Sequence, residues 1–180
     1  MSRDLPACPL QHDTTMDRDR RCLDKLLRDL VRSEARAIEQ APRTRCLIGD
    51  DAPPAIALHD VSVHALAMRP RFDLALEGHE LAASSGFGAT FSALRRIVAD
   101  CVHDAEHSFH DALLQLRHGI DVVLVLREAA RLGELFALIR WCDDWLSARR
   151  MLVARVAAQL CWFATAPAPS VATPATDDPP

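Results

Sequence analysis

Residues 100–111, DCVHDAEHSFHD, set three histidines and four acidic groups within twelve positions. His103 with His107, and Glu106 with His110, are i,i+4 pairs, the spacing at which two helical side chains hold one divalent ion such as Zn²⁺ or Ni²⁺. At about 100° per residue, Asp100, His103, His107, His110, Asp111 and His118 fall on one side of a helix. Val102, Phe109, Leu113, Leu116 and Ile120 fall on the other, roughly 200° away. Whatever buries Phe109 therefore exposes the imidazoles. A built metal centre needs three or four converging ligands, so the cluster is expected to be a solvated face. The alternative is adventitious capture of a divalent metal ion by His103, Glu106, His107 and His110, on one chain or at a subunit interface.

A second set of residues is polar where the helical period demands apolar side chains. Glu34 lies among Leu27, Leu30 and Ile38, and His79 is in line with Phe72, Leu76 and Ala83. Arg127 continues Leu116, Ile120 and Val123, and Arg149 falls on the face of Leu138, Cys142, Trp145, Leu146, Leu152 and Val156. Long side chains at stripe edges snorkel to water readily, and that is the preferred expectation. A buried charge is costly unless paired, so the alternative is an internal network. In it the Glu34 carboxylate accepts from Arg127 or Arg149, with His79 as a further partner.

The elements that must position these groups are all helices. A first helix is expected from Thr14 or Thr15, carrying Leu23, Leu26, Leu27, Leu30 and Ile38, with Pro42 stopping or kinking it. In GDDAPPAIAL, Gly49 closes a turn, Asp50 or Asp51 caps, and Pro53 and Pro54 suit a first turn that needs no amide donor. Pro70 kinks or restarts this second helix, and SSGFG, residues 84–88, breaks it. From Phe87 to Val123 one apolar face persists, with Asp104 a candidate fresh cap, so one helix or two fit the pattern. Leu132–Gly133 ends that stretch, and a final helix of roughly thirty residues follows at once. The expectation is an all-α, up-and-down bundle of four to five helices over residues 16–163. Residues 1–15 and the Pro, Ala and Thr tail 164–180 are expected to be disordered.

An inward carboxylate from the first helix, an inward histidine from the second, and a closing hairpin at RLGEL resemble the ferritin-like bundle family. The resemblance implies inward Glu and Glu-x-x-His ligands around two iron or manganese ions. It covers the last two helices and, by pattern only, the first two. The sequence departs from it in containing no Glu-x-x-His. Arg127 and Arg149 stand where ligands would, and a guanidinium cannot bind a cation. The resemblance thus implies a member whose metal site is lost or replaced by an ion pair.

Composition narrows the function classes. The formal charge of −4 and the absence of a basic stripe argue against nucleic-acid binding. Lys25 is the sole lysine among 21 basic residues, the mark of a GC-rich bacterial genome rather than of selection for phosphate binding. The six cysteines form no Cys-x-x-Cys pair, and no apolar run reaches membrane-spanning length, so a cytoplasmic setting without membrane partners is expected. ASSGFG is neither a phosphate loop nor a nucleophile elbow. The segment IDVVLVL, residues 120–126, is apolar nearly all round, and Trp141, Trp145 and Trp162 share the last helix. Together these features point to a non-catalytic structural or protein-interaction module without a cofactor, joined to a protein partner or to further copies of itself. The alternative is a ferritin-like bundle with an atypical metal site.

Overall fold

The structure, a computed structural model, describes residues 11–77 and 105–165, with side chains from Arg20 onward in the first helix. The described residues form four long helices and one short one: α1 Gln11–Ile48, α2 Pro53–Ala75, α3 Ala105–Leu132, α4 Phe136–Ala158 and α5 Leu160–Thr165. No strand occurs among the described residues, and the chain is an all-α bundle.

Two helical hairpins build it. Gly49 turns α1 into α2 at φ +93°, a conformation without penalty only for glycine, and its amide donates to the Arg45 carbonyl at 2.8 Å. The cap expected from Asp50 or Asp51 is absent. Ala52 is the N-cap and its methyl offers no acceptor, while Pro53 and Pro54 already remove two of the amides a cap would serve.

The second turn differs from expectation in a telling way. The left-handed residue is Glu134, at φ +53°, rather than Gly133. The Glu134 amide donates to the Arg131 carbonyl at 3.2 Å and the Leu135 amide to the Ala130 carbonyl at 2.9 Å, the paired bonds of a Schellman motif.

Within the bundle α1 packs on α2 and α3, and α4 packs on α3 and α2, so α1 and α4 are diagonal. The Arg36 to Gln115 hydrogen bond, 2.6 Å, together with the close approach of Ser33 to Gly119, sets α1 antiparallel to α3. Arg71 with Asp144 at 2.5 Å and Arg155 with Asp60 at 2.8 Å align α2 antiparallel to α4. It follows that α2 and α3 run in the same direction, and the chain leaves α2 at one end of the bundle and enters α3 at the other.

Several boundaries differ from those read in the sequence. Residues 11–15 already belong to α1, so Thr14 and Thr15 stand inside the helix; between Gln11 and Gly49 only Pro42 could interrupt it. α1 and α2 run through Pro42 and Pro70, each exposed. On an outer face the carbonyl that loses its donor is directed away from the core, which makes the break tolerable. The long final helix divides at Gln159, whose amide turns to the Val156 carbonyl. The bend sets Phe163 of α5 against Phe109 of α3, ring centroids 5.2 Å apart. A break at residues 84–88 and a cap at Asp104 both lie outside the described residues.

The core is in two parts. One joins Leu23, Leu27 and Leu30 to Phe72, Val123, Leu126, Trp141 and Trp145. The other joins Ala37 and Ala41 to Leu58, Val61, Phe109, Leu113, Val153 and Val156. Ile120 touches both.

Candidate functional site: a polar layer across the bundle

Between the two apolar parts, α1 and α4 meet across the bundle's diagonal through an ion pair. Arg149 Nη2 donates to both Glu34 oxygens at 2.7 Å. The Arg149 side chain is 1% exposed and that of Glu34 13%. The guanidinium also lies over the Trp145 ring, 4.7 Å from its centroid, so its apolar face is covered by an aromatic one.

α3 contributes space to this level. A Cβ on Gly119 would stand 2.5 Å from Ser33 Oγ and 3.9 Å from Trp145, so the absence of a side chain lets α1 and α3 close over the pair.

α2 contributes His64, which sequence reasoning missed. Its ring lies 6.3 Å from that of Trp145, and both ring nitrogens are buried without a hydrogen-bond partner. Desolvation first, and the Arg149 charge second, push its pKa down to about 4, so it is a neutral imidazole at neutral pH. The only signal available was a polar residue four positions from Asp60 and four from Met68 on a helix apolar on nearly every side.

Burial raises the Glu34 pKa; the Arg149 charge and the Trp145 and Arg149 N–H groups act against it. The Trp145 indole N–H is directed at this carboxylate without reaching full hydrogen-bond geometry. Burial likewise lowers Arg149, opposed by Glu34. Taking the two charges out of water thus outweighs their attraction.

The other residues singled out in the sequence do not join this layer. Arg127, expected as a possible donor to Glu34, is directed outward instead: it is 25% exposed and bonds Asp143 and Glu128, each at 3.1 Å. Its stem is long enough to follow the helix surface to acceptors in water. His79 and His103 lie outside the described residues. Glu106, His107 and His110 are exposed while Phe109 is fully buried, and His107 faces Asp111 at 3.6 Å. No group of three or more His, Cys, Asp or Glu positioned for a metal occurs among the described residues.

The chemistry open to the layer is narrow. A cavity of about 20 Å³ beside Glu34, lined also by Ile38, Ala65, Phe72 and Trp141, has room for about one water. One carboxylate held by a guanidinium offers a single ligand to a cation. The Cys142 thiol, buried in the first core part, is pushed up to about 12 by burial and is inert as a nucleophile. No helix among the described residues is long and apolar enough to cross a membrane.

Compared with protein-family models, with curated proteins and with solved structures, the chain matches none.

Proposed function

We propose that this protein is a non-catalytic helical module that works through its outer surfaces and self-associates. One observation carries the reading: α2 is apolar on two opposite sides. It buries Ala65, Met68 and Phe72 in the bundle and leaves Ile56, Val63, Leu66 and Leu74 exposed. A helix apolar all round belongs in an interior, and a contiguous exposed apolar face marks an interaction surface. The centre agrees with this among the described residues, where the cavity beside the ion pair has room for about one water. Sedimentation velocity over a hundredfold range of protein concentration tests it. A concentration-dependent rise in mass is the expected result, and a strict monomer throughout would overturn self-association.

A second reading has one observation in its favour. Ferritin-like bundles join two hairpins by one long crossover, and here α2 and α3 run in the same direction with Glu34 facing inward. On that reading the chain is a ferritin-like bundle that binds iron or manganese at a degenerate or atypical site. Elemental analysis of tag-free protein separates the two readings: stoichiometric iron or manganese supports an atypical metal bundle, and background levels support the interaction module.

A further inference from the structure

The exposed stripe of α2 is self-complementary, and we infer that it is the seam of a two-fold dimer in which α2 packs antiparallel on α2 of a second copy. The inference rests on the self-association proposed above and names the face that carries it.

Ile56, Val63, Ala67 and Leu74 are all exposed and lie within roughly 40° of one another, about 180° from the buried Ala65, at 100° per residue. Their spacings are seven, four and seven residues, symmetrical about Ala65. Reversing the helix about that point sets Ile56 opposite Leu74 and Val63 opposite Ala67 of the other copy. An isologous contact requires this palindromic order, because each residue must meet the residue that meets it. The small Ala67 leaves room for Val63, which permits close approach of the helices at the dyad.

Charge supports the same register. On the α4 side of the stripe, α2 carries Asp60 toward one end, paired with Arg155, and Arg71 toward the other, paired with Asp144. Asp60 and Arg71 flank the centre of α2 almost equally. Antiparallel pairing therefore brings Asp60 of each copy toward Arg71 of the other, on the same side of the seam, whereas a parallel two-fold pair would set these groups on opposite sides of the seam and leave them without a counter-charge. A single 23-residue helix seam is short of the roughly 1,200–2,000 Å² that stable interfaces bury, so the dimer is a reversible one whose population follows concentration.

The experiment is sedimentation velocity of the full-length chain and variants, with thermal unfolding alongside. Val63→Asp is expected to weaken dimerisation at least about tenfold with the melting temperature unchanged. Asp60→Arg and Arg71→Asp are each expected to weaken it, and the double variant to restore it, although both intrachain pairs stay broken in that variant. A dimer indifferent to all of these would place the seam elsewhere and leave self-association standing; a wild-type monomer at every concentration would remove both. A monomer in which Val63→Asp lowers the melting temperature would show the stripe to be covered from within the chain, which also overturns the seam.

Discussion

Glu34 and Arg149 illustrate why a buried ion pair is a poor measure of stability. Each group's pKa moves in the direction set by burial, so desolvation exceeds the attraction between them. Removing one partner leaves the other charge buried alone: Glu34→Ala or Arg149→Ala is expected to cost about 3–5 kcal/mol. Replacing both, as Glu34→Leu with Arg149→Met, is expected to bring stability back to within about 1 kcal/mol of the parent or above it. Urea unfolding of the four proteins measures this, and a double variant as weak as the singles would contradict it.

His64 gives the layer its pH dependence. A folded-state pKa depressed to about 4 from 6.5 means that its contribution to stability is complete above pH 6.5 and is lost as pH falls toward 4. The ring is only half shielded from solvent, so the expected loss is on the order of 1–2 kcal/mol rather than the full value of the shift. Glu34 works in the opposite sense. Its raised pKa means that the folded chain holds the proton more tightly than the unfolded one, so its contribution is present at low pH and lost as pH rises through the folded value. A stability profile from pH 4 to 8 is expected to rise across the histidine range, and His64→Phe to flatten that limb. An unchanged profile in the variant would show that the imidazole is not responsible.

At the scale of elements, the two turns use different residues for the same backbone demand. Gly49 occupies its left-handed position at no steric cost, whereas Glu134 does so with a Cβ. Glu134→Gly is therefore expected to stabilise the α3–α4 hairpin by about 1 kcal/mol, read as a higher urea midpoint. Gly119 has the reverse character, since it is helical and confined. Gly119→Leu would drive into Ser33 and part α1 from α3, at an expected cost of about 1–3 kcal/mol. Gly119→Ala meets only a hydroxyl that can rotate, and gains helix propensity, so it is expected to be nearly neutral. Equal losses in the two variants would show that the close approach of α1 and α3 is not what the glycine serves.

Across the whole molecule, a polar layer divides one bundle into two apolar cores that share few side chains, Ile120 foremost. Substitutions on opposite sides of it should act independently. Val123→Ala and Val156→Ala each empty a fully buried site and are expected to cost about 1–3 kcal/mol, with the double variant additive to within about 0.5 kcal/mol. A larger coupling in the double-mutant cycle would mean that the layer transmits strain rather than separating the cores.

What the sequence determined by itself was what repeats along a helix. The period of Leu23, Leu27 and Leu30, and of Phe109, Leu113 and Leu116, specified all-helical structure and the face that each helix buries, and so also set His107 and His110 outside. The prolines of Pro53–Pro54 and the glycine at 49 marked the first hairpin for local steric reasons. Only tertiary structure decided depth and partnership. On a helical wheel Arg127 and Arg149 are equivalent, yet one is carried along the rim to Asp143 and the other lies over Trp145 and reaches across the diagonal to Glu34. His64 was illegible for the same reason: its surroundings are supplied by α4, some eighty residues away. Local physics writes which side of a helix is dry, while the identity of the group waiting there depends on how four helices register against one another.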